Sequence, residues 1–398
     1  MQNLVDRRSF IRTVGGSLVA AALPPLAAGC SSEYPAESVA AWQGPPADVD
    51  LRRWALGHAI LAPNSHNRQP WLVDLREPDV ITLFVDRERL LPQTDPQFRQ
   101  IVVSQGTFLE LLVIALRERG VEPTVTLFPD GEFAARGLDD RPVARISWSS
   151  TAPRATPDPL FVQILRRHTA KVEYDLERPV AATTLGRLAE ALKPDAGVRF
   201  GGTVDPTRLP ALRQLCQDSA VIELGTPRTV MESIRLLRVG PTEIATHRDG
   251  LSINTPMLRA LDAVGLFDRH NPPAAGDAAF KNMLVQFDGY SRSAGGFVWL
   301  GTAPANGASA GTGRRAEVHA GRAYMRLQLQ ATALGLQMHP MSQAIQEFPE
   351  MKPLYDRLHQ LTVGQPAERE TVQMFCRIGY CSEQQHSPRR GVDAIIRA

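Results

Sequence analysis

Two distant stretches of this chain repeat one another, and that repetition limits the folds open to it. Gln105-Gly106 opens an apolar-periodic run that ends at Arg119-Gly120 and leads to the strand-like Thr124 to Phe128. Ala320-Gly321 opens a second run that ends at Leu334-Gly335 and leads to Leu336 to Met341. The glycine intervals agree: 120 − 106 = 14 and 335 − 321 = 14. A glycine closing a helix supplies the left-handed residue the last turn favours. Two unrelated amphipathic helices ending in glycine would show the same spacing. The flanking strands favour two tandem halves, 48–152 and 153–398, joined near Pro153, Pro157 and Pro159.

The chain has 398 residues, 43% of them hydrophobic, enough for one large core or two fused ones. A net charge of +2 implies no polyanionic partner, and no basic stripe suits nucleic acid. Four cysteines include no Cys-x-x-Cys pair, and nine histidines show no His-Glu-x-x-His or Cys/His cluster. No metal site is expected.

Residues 1–30 read as a targeting segment. Asp6-Arg7-Arg8-Ser9-Phe10-Ile11-Arg12 resembles a twin-arginine export signal. The apolar run Val14 to Leu23 falls short of the roughly 20 residues that span a bilayer. Leu26-Ala27-Ala28-Gly29-Cys30 resembles a lipoprotein cleavage box, with its leucine one place further from the cysteine than usual. Used as such, it makes Cys30 a lipidated, membrane-contacting first residue; cleavage near Ala28 would release a soluble protein. The expected location is periplasmic or cell-envelope, reached through the twin-arginine machinery, which carries folded proteins. Residues 31–47, rich in Ser, Pro, Ala and Gly, read as a tether.

The segment Leu61-Ala62-Pro63-Asn64-Ser65-His66-Asn67-Arg68-Gln69-Pro70-Trp71 sits between a helix-like run and a strand-like one. A loop of small hydroxyls and amides beside one aromatic ring suits a flat π-system with a hydrogen-bonding edge, such as a flavin. Arg166-Arg167-His168-Thr169-Ala170-Lys171 places cations at a helix-to-loop junction, and Pro388-Arg389-Arg390 adds a basic pair near the C-terminus. Forked cations suit a phosphate.

Together these segments resemble the FMN-dependent nitroreductase family. The first resembles its "A-P-S-x-x-N-x-Q-P-W" loop, the second its "R-x-S/T-x-K/R" opening motif, the third its terminal basic pair. The resemblance implies an α+β fold and FMN as cofactor. It implies contacts from Asn64, Ser65, His66, Asn67 and Gln69, and from Arg167, His168, Thr169 and Lys171. It adds the Pro340, Met341, Ser342 and Gln343 segment beside the flavin N5, and Arg389 and Arg390 on the phosphate. Lys171 would lie near N1 and the C2 carbonyl. No side-chain catalyst is implied, because the flavin carries the chemistry.

The first half holds the loop and the second half the basic motif, so the chain carries one set of parts. That distribution resembles the double-length Acg-type branch: a fused dimer with one FMN site, expected to be a monomer. The implied activity is reduction of a small electron-poor substrate, a nitroaromatic or a quinone. The alternative is an exported flavin-binding or flavin-sequestering protein without turnover, since nicotinamide donors are cytoplasmic. Residues 240–292 match nothing in the ordinary core and are expected to form a lid with its tip at Asp268 to Gly276.

Two motifs are set aside. Gly307-Ala308-Ser309-Ala310-Gly311 fits a nucleophile elbow but follows Ala303-Pro304-Ala305-Asn306 rather than a strand. Gly311-Thr312-Gly313-Arg314-Arg315-Ala316 lacks the abutting strand of a dinucleotide loop.

Overall fold

Asp50 accepts from the backbone N–H groups of Arg52 and Arg53 and so caps α1 (Leu51–Ala59). The computed structural model describes residues 32–149, 151–192, 197–303 and 313–397. The twin-arginine pair, the apolar run, Cys30 and Ser309 lie outside them.

The fold is α+β. An antiparallel sheet joins β1 (Trp71–Asp74), β2 (Val80–Val85), β3 (Thr124–Leu127) and β4 (Ala144–Ser147) in the order β1-β2-β4-β3. Helix α2 (Arg99–Glu118) connects β2 to β3. A second antiparallel sheet joins β5 (Val198–Thr203), β6 (Gly296–Thr302), β7 (Gln337–Pro340) and β8 (Thr371–Gly379) in the order β5-β6-β8-β7. Helix α3 (Arg314–Ala333) precedes β7. Every residue of β6 and β8 is buried, which explains the apolar run of β6 and the mainly apolar one of β8, broken by Gln373 and Arg377.

The two central helices cross where the sequence repeats. A Cβ on Gly106 would stand 2.1 Å from the Val318 carbonyl oxygen, and one on Gly321 2.0 Å from that of Val103. Only glycine permits that approach. These glycines do not open their helices, as the repeat suggested; each lies seven residues after its helix start, 106 − 99 and 321 − 314. The closing glycines behave as expected, with φ +79° at Gly120 and +66° at Gly335. The core is shared across the crossing: Val318, Met325 and Leu329 of α3 pack with the first sheet's cluster, and Val103 of α2 with the second's. Helix α2 is apolar and long enough to span a membrane, yet it is buried in the fold.

Phe161–Arg166 forms a 3-10 turn. The helical stretch from Leu209 breaks at Thr226-Pro227, giving Leu209–Gly225 and Pro227–Arg235, then a short strand, Leu237–Val239. Residues 240–292 hold helices Gly240–His247, Pro256–Ala263 and Ala278–Arg292, and a strand, Leu251–Ile253, pairing parallel with Leu237–Val239.

The expected tether is ordered. Its described part is docked, with two helical turns, Ala36–Val39 and Ala40–Gln43. Ser38 carbonyl accepts from the Arg389 backbone at 2.9 Å, and Trp42 Nε1 donates to Ser387 carbonyl at 2.9 Å. Trp42 is 7% exposed. Burial of that indole offsets the entropy a Pro- and Gly-rich segment loses on ordering.

Candidate functional site

The loop after α1 is strained by its own hydrogen bonds. His66, Asn67 and Gln69 all have positive φ, +49°, +52° and +51°, where non-glycine residues seldom sit. Asn64 holds this shape: its Nδ2 donates to Ala62 carbonyl at 3.1 Å and its Oδ1 accepts from Gln69 N at 2.7 Å. Ser65 N donates to Ser104 Oγ at 3.3 Å. The Gln69 side chain is fully buried; its Nε2 donates to Arg248 carbonyl at 2.8 Å, and its Oε1 accepts from Arg390 N at 2.9 Å. The Asn64, Asn67 and Gln69 side chains are therefore engaged inside the protein.

Residues of the 240–292 region and the helix before it seal this loop. His66 Nε2 meets Ser233 Oγ at 3.0 Å, and Gly250 N donates to Asn67 carbonyl at 3.1 Å. Asp249 binds Arg89 at 2.6 Å and Arg238 at 2.9 Å, with Arg68 at 3.6 Å. The contact comes from Ser233 to Gly250. The expected tip, Asp268 to Gly276, makes none of these bonds; Arg269 is held by Glu243 at 2.8 Å.

Beneath the loop lie two buried arginines from opposite ends of the second half. Arg167 is 2% exposed and Arg389 3%. Arg167 donates to Leu61 carbonyl at 2.8 Å and Gln328 Oε1 at 3.1 Å. Arg389 donates to Asn67 Oδ1 at 2.7 Å and to the Leu61 and Ala62 carbonyls, both at 3.3 Å. Both guanidiniums lie 5.2 Å from the Trp42 ring. Among the described residues neither has a carboxylate partner, and the Nε of each is buried with no acceptor. Burial pushes Arg167 down to about 10; burial and then the Arg167 charge push Arg389 well down. Arg390 has a buried, unpartnered Nε too, though Asp86 lies at 3.9 Å.

Trp42 also ends a column of rings. His386 stacks on it at 4.1 Å, and His168 stacks on His386 at 4.0 Å. His168 Nδ1 donates to Arg166 carbonyl at 2.8 Å, and Thr169 Oγ1 accepts from Arg167 at 3.3 Å and Gln328 at 3.1 Å. The column ties the arm, the tail and the 166–171 segment together.

Lys171 completes the site. It keeps solvent-accessible surface, yet protein encloses it enough that desolvation lowers its pKa. His66 is likewise half-buried, and burial, then Lys171 and Arg68, push it down to about 4. Burial, then Arg377 and Lys171, also depress His339. Loop, basic motif and β7 end thus converge.

Pro340 pairs with Cys376 across β7 and β8, and Met341 N donates to Phe375 carbonyl at 2.8 Å. Ser342 and Gln343 are half-buried, and Gln343 reaches the buried Glu223, whose carboxyl burial raises to about 7. Sequence reasoning missed Trp42, Gln328 and Arg377. The last carried a signal: a lone charge in an apolar strand.

Of two cavities, one touches the site. One of about 630 Å³ lies against the first sheet, beside Thr82, Phe84, Asp139 and Arg145, and shares no residue with the site. One of about 210 Å³ lies beside Arg389, Arg248 and Glu37. The orphaned arginines are the better guide, because an unpaired buried charge is costly. No group of His, Cys, Asp and Glu among the described residues suits a metal.

No protein-family model matches the chain. It is 32% identical over 127 residues to a putative NAD(P)H nitroreductase of Mycobacterium tuberculosis, covering 32% of this chain and 35% of that protein. It is 32% identical over 82 residues to the putative NAD(P)H nitroreductase acg of the same organism, covering 21% and 24%. The chain therefore matches about a third or less of these relatives' length. Among solved structures it is similar to the FMN and NADPH-dependent nitroreductase NfnB from Sphigopyxis sp. strain HMH. That likeness has a TM-score of 0.39 and 15% identity, over 61% of this chain and 99% of that one. A Bacteroides fragilis nitroreductase with bound FMN gives 0.33 and 14%, over 59% and 97%.

Proposed function

We propose that this chain is an exported, FMN-binding oxidoreductase of nitroreductase type that reduces a small electron-poor substrate, a nitroaromatic or a quinone. The observation that carries this reading is the Arg167 and Arg389 pair: two buried cations sharing the Leu61 carbonyl, each with an orphaned Nε and no carboxylate. A dianionic phosphate would satisfy both, so the residues fit FMN. The partial relatives with nitroreductase names support the same reading.

Arg167 and Arg389 hold the phosphate, Trp42 backs them, and Lys171 supplies a positive charge to the ring's N1 and C2-carbonyl edge. Bound FMN supplies two-electron chemistry, accepting electrons from a donor and passing them to the substrate. The protein's part is to bind, orient and exclude water.

The two sheets on either side of crossing helices support a fused-dimer arrangement with one cofactor per chain. Flavin released from purified protein should approach one per chain; a value near two refutes the split site. The relatives' names specify NAD(P)H, whereas an exported chain needs another donor. Changing Arg7-Arg8 to Lys-Lys should hold the protein in the cytoplasm, and Cys30→Ala should free it from the membrane.

A store without turnover is the second reading, favoured by the seal that Ser233, Arg248 and Gly250 place on the loop. Absorbance spectroscopy separates the two. An enzyme's flavin bleaches with a donor and recovers with an acceptor. A store's flavin does so only when the seal is loosened, as by Asp249→Asn.

A further inference from the structure

Arg377 lies in the second sheet with no exposure and, among the described residues, no carboxylate. It is packed against two tyrosines, its guanidinium 3.9 Å from the Tyr174 ring and 4.8 Å from the Tyr290 ring. Its bonds run to three places. One terminal nitrogen donates to Tyr290 carbonyl at 2.9 Å and Ser293 Oγ at 3.1 Å. The other donates to the carbonyls of Ala170 at 3.3 Å and Val172 at 2.6 Å, the two residues flanking Lys171. Its Nε donates to His339 Nδ1 at 3.0 Å.

That last bond fixes a tautomer. An arginine Nε always carries its proton, so His339 Nδ1 must present a lone pair. The ring is then neutral, with its proton on Nε2. An imidazolium would set two N–H donors against each other. No described residue accepts from His339 Nε2. Tyr290 packs edge-on against the ring at 5.4 Å. Burial, then the charges of Arg377 and Lys171, keep the imidazole neutral.

We propose that His339 Nε2–H and Lys171 Nζ form a paired donor site for the electron-rich carbonyl edge of a flat heterocycle, with Arg377 as the positioning residue that orients both. Resting on the FMN reading, the pair would receive the flavin edge where charge gathers on reduction. A neutral donor and a cation together stabilise that charge without adding a second buried cation. Arg377 never touches the ligand; it sets the tautomer of one donor and the backbone around the other.

The test has two arms. In the first, nitrogen NMR of the cofactor-free chain reads the His339 tautomer. The proposal requires an Nε2–H neutral ring from about pH 5 to 8; an Nδ1–H ring or an imidazolium overturns it. In the second, the midpoint potential of bound FMN is measured in His339→Phe and His339→Gln. His339→Phe should lower the two-electron equilibrium about tenfold, roughly 30 mV, because affinity for reduced FMN falls about tenfold more than affinity for oxidised FMN. His339→Gln, which keeps an N–H donor, should recover much of that loss. A change below about twofold in a His339→Phe protein that still binds FMN overturns the proposal. A wild-type chain that binds no FMN refutes the proposed function; failure of the potential shift alone refutes only this inference.

Discussion

The starts of the two central helices and the junction of loop and C-terminal tail both bury arginines, and they treat them oppositely. Arg99 and Arg314, 1% and 0% exposed, open α2 and α3. Arg99 Nε meets Glu347 at 3.2 Å, and Arg314 meets Glu317 at 2.8 Å. Arg167 and Arg389, equally buried, meet carbonyls, an amide and a tryptophan face but no described carboxylate. Glu347 helps to raise the Arg99 pKa, whereas burial lowers that of Arg167. In the first region the fold pairs each charge with a carboxylate, although the Arg99 Nε finds no hydrogen-bond acceptor. In the second no described carboxylate pairs the charges, and on the proposed reading an anion from outside would complete it.

The largest expected effect is on the paired side. Arg314→Met leaves Glu317, whose pKa burial raises to about 8, without its partner and frees the buried carbonyls of Gln97, Ala134 and Ala135; breaking such a network costs up to about 3–5 kcal/mol. Denaturant unfolding should show that loss with or without FMN. On the incomplete side, Arg167→Ala and Arg389→Ala should each weaken FMN by roughly 1.5–3 kcal/mol, about ten- to a hundred-fold. Equilibrium dialysis should show riboflavin, which lacks the phosphate, affected far less. Retention of full FMN affinity by both variants would erase the contrast.

Trp42→Ala should act in the same direction but more weakly, since a cation–π contact is worth about 0.5–2 kcal/mol. It too should discriminate against FMN relative to riboflavin; equal losses would make Trp42 merely structural. The smallest effect is in pH. His66 is held near 4, below its ordinary 6.5, by burial and by Lys171 and Arg68. The folded state then binds fewer protons than the unfolded between those values. Its contribution is whole above about pH 6.5 and falls as pH drops towards 4. In urea unfolding of the flavin-free protein, His66→Gln should flatten that window.

The same contrast explains what the sequence revealed. Local segments were legible because their chemistry is contiguous: the Asn64 to Gln69 loop, the Arg167 to Lys171 motif and the Arg389-Arg390 pair all reach one neighbourhood. Long-range partners were not. Trp42 sits in a segment whose composition reads as a tether, and its role depends on Arg167, Arg389 and His386, far along the chain. Gly106 and Gly321 were visible as a repeat, but spacing could not distinguish a helix start from a helix crossing. Strand β6 escaped because a buried antiparallel strand with continuous apolar character has no alternation to detect, β4 because four residues are too few to show a period, and β5 because Arg199, Gly201 and Gly202 interrupt its apolar pattern.

The most direct test is the double variant Arg167→Met, Arg389→Met, read for both cofactor-free stability and FMN affinity. Relief of mutual repulsion should roughly offset the lost carbonyl bonds, so stability should change by less than about 1 kcal/mol or rise. FMN binding should be abolished while Arg314→Met, if folded, retains it. A double variant that unfolds like Arg314→Met, or that keeps wild-type FMN affinity, would contradict the account.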